Sequence, residues 1–215
     1  MALSLETVRE FLAMHYPDYG YEIRNGEFVL EGPTGVMARH SFGNTLQLFL
    51  EQTRTGYDYE IRDGEYVLVA PNDIVASNTA GQLFSILNAW VKPRKLGTVT
   101  ESNGGFIFED GDLLAPDVAF ISVARMPTLP DVYARGAPEI AVEIRSSSDR
   151  EKNVREKLAR LLAKGAIVAI YIEPRSHQFE ILRAGQGPEI YQDGDTVTIP
   201  DVLPGFSFSL VDLWP

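Results

Sequence analysis

The chain has 215 residues, 45% hydrophobic and 23% charged, a composition that supports one good globular core and contains no apolar run able to span a bilayer. Its amino terminus lacks the basic-then-apolar layout of a secretory signal, so the expected location is the cytoplasm and no membrane partner is expected. With no cysteine and three histidines, disulfides, thiolate nucleophiles and the usual zinc donor sets are excluded, and oxygen ligands remain for any metal. A net charge of −11 argues against a surface-wide attraction to nucleic acid, although the segment from Arg145 to Lys164 carries seven basic residues against three acidic ones.

Along the chain, YEIRNGEFVLEGP (Tyr21 to Pro33) returns as YEIRDGEYVLVAP (Tyr59 to Pro71), 38 positions later. Each copy holds an NG or DG pair between apolar runs, which predicts a hairpin because both central positions of such a turn need positive φ. Helical periodicity follows each, at Leu46 to Leu50 and at Leu83 to Val91. The expected organisation is residues 1–56, an N-terminal helix and the first copy of a duplicated hairpin-helix element, followed by a core over 57–215, together one compact unit. The first copy reads as a decoration or a dimer contact, and a homodimer is the default oligomer.

After the second copy, GTVTESNG, GFIFEDGD and LLAPDVAFIS read as short strands divided by glycine and aspartate turns, and AVEIRS as the next strand. Ser148 is the expected N-cap of a helix from Asp149 to Lys164 that ends at Gly165. IVAIYIEP is continuously apolar, as a strand covered on both faces should be. The hairpin QFEILRAGQGPEIYQ then leads to VLPGFSFSLVDLW. The expected class is α+β, a mixed sheet flanked by helices.

Three charges stand in apolar surroundings. Glu143 interrupts AVEI, and a buried carboxylate must be paired, solvated or bound to a cation. Lys157 lies within the helical stripe Val154, Leu158, Leu161, so its amine points toward the sheet or snorkels over it. Asp117 opens the strand DVAFIS, as a solvated strand-end aspartate or as a partner of Glu143 on a neighbouring strand. Paired carboxylates on adjacent strands suit a hard cation such as magnesium, which takes one or two carboxylates plus waters and phosphate oxygens. Arg145 falls two residues after Glu143, on the same strand face.

PD, a strand ending in E-x-(K/R)-S, and a helix bearing a lysine resemble the PD-(D/E)xK restriction-endonuclease-like superfamily. More closely, APDVAFIS, VEIRSSSD, EKLARLLAKGA, YIEP and DVLPGFSFSL resemble the Uma-two family of endonuclease-like proteins over nearly all of residues 57–215. The resemblance implies a restriction-endonuclease-like fold and metal-dependent hydrolysis of phosphodiester bonds in nucleic acid, with DNA as the expected substrate. Carried onto this sequence, it makes Asp117, Glu143 and the carbonyl of Ile144 the ligands of magnesium or manganese. It also makes Lys157, with Arg145 beside it, the group that orients the nucleophile and stabilises transition-state charge. Arg145 stands where the family often has lysine and cannot act as a base. Ser147 and Glu173 replace the family's usual proline and aspartate. Glu60 or Glu65 could add a carboxylate, and Asn78 matches a family position without an assigned chemistry. The competing readings are a catalytically inactive binding or regulatory module on the same fold, and an Asp117/Glu143 acid–base pair of a glycosidase.

Overall fold

The structure, a computed structural model, describes residues 20–24, 27–31, 37–39, 58–63, 65–69 and 72–214, with side chains at 60–63 and 72–214. The helix expected at the amino terminus and the helical stretch at Leu46 to Leu50 lie outside the described residues. In chain order the strands and helices begin with β1 (Gly20–Arg24), β2 (Glu27–Glu31), β3 (Met37–Arg39), β4 (Asp58–Arg62), β5 (Glu65–Val69), α1 (Ile74–Arg94) and β6 (Gly97–Glu101). They continue with β7 (Phe106–Ile107), β8 (Leu113–Leu114), β9 (Val118–Ser122), β10 (Ala134–Arg135) and β11 (Ile140–Ile144). The last are α2 (Glu151–Ala163), β12 (Val168–Glu173), β13 (Gln178–Leu182), β14 (Glu189–Tyr191), β15 (Thr196–Thr198) and β16 (Ser207–Ser209). The chain divides into two compact units, residues 1–71 with 109–114, and residues 72–108 with 115–215.

In the first unit the sequence repeat is also a repeat of register. Tyr21 faces Leu30 and Arg24 faces Glu27 in the first hairpin, while Tyr59 faces Leu68 and Arg62 faces Glu65 in the second. At the DG turn Asp63 takes φ 52°, the left-handed conformation that two-residue hairpins require, and its N–H donates to Asp112 Oδ1 at 2.7 Å. The copies differ in their neighbours, since β2 pairs with β3 and β4 pairs with β8.

The second unit is built on a six-stranded sheet in the order β14-β13-β12-β11-β9-β6. Only β11 and β12 run parallel within it, and a parallel pair needs a crossover, here supplied by α2. Strand alternation then sorts the side chains. Val118, Phe120, Ile140, Val142, Ile170, Ile172, Phe179 and Ile181 face a core completed by Leu83, Leu87 and Val91 of α1 and by Phe206, Leu210 and Leu213 near the carboxyl end. Ala169 and Tyr171 take the other face, under Val154 and Leu158 of α2. Each fully buried leucine contributes about 1.5–3 kcal/mol by leaving water. At the sheet edge, Gly97 approaches the Ile121 carbonyl so closely that a Cβ there would collide with it.

The helix after β11 starts later than its sequence suggests. Arg150, not Ser148, occupies the N-cap position, and it makes no side-chain cap bond. The SSSD segment instead closes on itself, because Ser146 N–H donates to Asp149 Oδ2 at 2.9 Å and Asp149 N–H donates to the Ser146 carbonyl at 3.1 Å. A serine run offers several competing side-chain and backbone bonds, and the turn takes the ones a cap would have used. The helix does end as expected, with Gly165 at φ 108° just past it.

Candidate active site

Asp117 and Glu143 meet because of register. Val142 of β11 pairs with Val118 of β9, so the next position sets Glu143 opposite Asp117, and opposed residues of an antiparallel pair point to one face. That is the α2 face, since Val118 and Val142 belong to the other core. Lys157 comes down from α2 among Val154, Leu158 and Leu161, the buried residues of that helix. Its Nζ lies 2.7 Å from Glu143 Oε1, with both side chains less than 10% exposed. It also donates to the carbonyl of Ala115, two residues before Asp117, at 2.9 Å.

The Asp117 carboxylate is held at both oxygens. Ile144 N–H donates to Oδ2 at 2.7 Å and the Asn72 amide donates to Oδ1 at 2.8 Å. Burial raises its pKa above the ordinary aspartate value, and this outweighs the opposing pull of the Lys157 charge and of the two donors. Lys157 thus pairs with Glu143 and its charge also acts on Asp117.

Asn72 belongs to a second layer of contacts that the sequence reading missed. The next residue, Asp73, caps α1 by accepting from the N–H groups of Val75 and Ala76, both at 3.0 Å. Its other oxygen accepts from Ser147 N–H at 2.7 Å and from the Arg175 guanidinium at 2.9 Å. These donors, the Ser147 N–H first, hold the carboxyl well below the usual aspartate range. The signal is Asp followed by an apolar helical run, the ordinary N-cap pattern, ahead of the Leu83 to Val91 periodicity.

Arg145 shares the face of Glu143 but turns to a different partner. Its guanidinium lies 2.9 Å from Glu173, the residue opposite it one step beyond the Ile144–Ile172 pair. Two of the three departures named above, arginine at 145 and glutamate at 173, thus satisfy each other. A further buried acid, Glu180, is gripped by Arg155 of α2 through two bonds of 2.9 and 3.0 Å, and the same guanidinium stacks on the Tyr171 ring at 4.3 Å. Glu180 interrupts QFEIL as Glu143 interrupts AVEI, a parallel visible in the sequence. Of the other candidates, Glu60 belongs to the first unit, where Arg62 pairs with it. The Glu65 side chain lies outside the described residues, and Asn78 is exposed on α1.

The donor set fits a magnesium-like ion better than a protein-caged one. Among the described residues no group of three or more His, Asp or Glu side chains gathers around a point that could hold a metal. The two-carboxylate arrangement at Asp117 and Glu143 would leave the remaining positions to water and substrate oxygens, as magnesium prefers. A cation already lies against Glu143 in the form of the Lys157 ammonium.

No curated protein matches the chain. Among solved structures it is similar to a crystal structure described as "a putative nuclease belonging to DUF820" from Anabaena variabilis ATCC 29413, with a TM-score of 0.67 and 21% identity over 79% of this chain and 96% of that one. That likeness identifies the fold as restriction-endonuclease-like, α+β, as the sequence resemblance implied. Residues 44–211 match the model of the Uma2 family, described as "Putative restriction endonuclease"; the chain belongs to that family.

Proposed function

We propose that the protein is a metal-dependent endonuclease that hydrolyses phosphodiester bonds of DNA in the cytoplasm. The observation that carries this reading is the convergence of Asp117, Glu143 and Lys157, from two strands and a helix, on one face of the sheet. Asp117, Glu143 and the Ile144 carbonyl are the groups that would hold magnesium or manganese. When bound there, such an ion would neutralise the scissile phosphate and lower the pKa of an attacking water.

The chain's own residues do the rest. Ile144 N–H and Asn72 fix the Asp117 carboxylate, and the ordered backbone of β11 fixes Glu143 next to it. Lys157, with its stem buried in α2, brings a positive charge to the phosphate as negative charge grows in the transition state. Arg145, bound to Glu173, braces the strand end and leaves the amine role to Lys157.

The test is cleavage of plasmid and oligonucleotide DNA with manganese or magnesium and with chelator. Asp117→Ala and Glu143→Ala are expected to lose on the order of 10²- to 10³-fold or more, and Lys157→Ala to fall in the same range. Cleavage that survives both carboxylate changes would remove this site from consideration. The Arg145–Glu173 pair favours a second reading, a catalytically silent module on the same fold, because it occupies the strand lysine position with a neutralised arginine. A wild-type protein that neither cleaves nor binds manganese would select that reading.

A further inference from the structure

We infer that Asn72 is a positioning residue for the candidate metal centre: its amide sets the rotation of the Asp117 carboxylate. The inference rests on the metal-dependent reading above and assigns a role to a residue outside the ligand set.

A carboxylate offers about four lone-pair directions, two on each oxygen. Ile144 N–H takes one on Oδ2 and Asn72 Nδ2 takes one on Oδ1. With a single donor the carboxylate could pivot about its own bond; with one donor on each oxygen its plane is defined, and one lone pair per oxygen remains for a cation. Ile144 N–H is fixed by the sheet, so Asn72 supplies the second point.

Asn72 can do this only if its own backbone is immobile, and Asp73 makes it so. The Asp73 side chain caps α1 with one oxygen and ties Ser147 N–H and Arg175 with the other. The asparagine is thereby anchored between the start of a 21-residue helix and the turn that follows Glu143, Ile144 and Arg145. A ligand-orienting hydrogen bond delivered from a rigid element is the arrangement that tunes metal sites, and removing such a bond typically costs about 10- to 100-fold in metal affinity.

The experiment is manganese titration by calorimetry on the full chain, comparing wild type with Asn72→Ala and with Asn72→Leu, which keeps most of the volume but has no donor. Thermal melting in chelator accompanies it. The expected result is manganese binding about 10- to 100-fold weaker in both variants, with melting in chelator unchanged and DNA cleavage recovering toward the wild-type rate at saturating manganese. If wild type binds manganese and the variants bind it equally well, the inference is overturned while the metal reading stands. The same holds if the variants melt earlier yet keep their affinity, which would make Asn72 a structural tie. If wild type itself gives no manganese binding, the metal reading falls and takes the inference with it.

Discussion

Two acids on the same sheet face, Glu143 and Glu180, lie on either side of Tyr171, in register with it on β11 and β13. Each is met by a base from α2, and the two meetings differ in kind. Arg155 reaches Glu180 with two nitrogens on two oxygens, and Gln178 adds a third donor, so the acid is satisfied within the protein. Lys157 touches Glu143 through one oxygen while a second carboxylate, Asp117, stands opposite. The first cluster is closed by three side-chain donors on Glu180, and the second acid on Arg155, Glu151, is an exposed residue of α2; the second cluster brings two carboxylates of neighbouring strands to one sheet face. Buried charge alone does not mark a functional site. Two carboxylates opposed across neighbouring strands are the arrangement a divalent cation can use.

The comparison breaks most sharply at the closed pair. Arg155→Ala leaves Glu180, almost fully buried, with the Gln178 amide but no charged partner, and should cost about 3 kcal/mol in urea unfolding, less than a fully buried pair because Arg155 is one-third exposed, with no recovery on adding manganese. The pH dependence has a definite sign. The Arg155 bonds lower the Glu180 pKa below its ordinary 4.5, so the contribution is complete above that value and disappears as pH falls through the depressed one. Arg155→Ala should therefore flatten the acid limb of the stability curve.

Asp73→Ala sharpens the contrast between ligand-holding and scaffold groups. It removes an N-cap and a charged acceptor for Ser147 and Arg175, and is expected to destabilise by about 2 kcal/mol in denaturant melts at pH 7. The Asp73 pKa is lowered from 3.8, so this loss should shrink as pH drops below that value.

The smallest effect is expected at Arg145. It is one-third exposed and paired with Glu173, so Arg145→Lys should leave the thermal melting midpoint close to that of wild type, because exposed ion pairs contribute little, and leave the cleavage rate unimproved. A large gain in cleavage would show that an amine at the strand position matters after all, and would remove Lys157 from its proposed role.

Much of the frame was legible because it depends on local patterns. The NG and DG turns marked both hairpins, and alternation put Glu143 and Arg145 on one face. Helical spacing put Lys157 toward the sheet, and Gly165 marked where α2 stops. The helix start was misplaced because serines at 146–148 offer several local hydrogen-bond choices of similar energy, and tertiary contacts with Asp73 selected among them. Asn72 and the Arg145–Glu173 pair were not legible. The partners are 45 residues apart in one case and on separate strands in the other, and nothing in one sequence encodes such a distance.

By itself, then, the sequence determined the strands, the helix faces and the residue types available for chemistry, because backbone periodicity and side-chain burial act over a few positions. Only the tertiary structure decided which charges neutralise each other. Strand order and register set Glu143 beside Asp117 and turned Arg145 to Glu173, and the strength of an ion pair depends on a separation of a few ångströms that the chain fixes only when it folds.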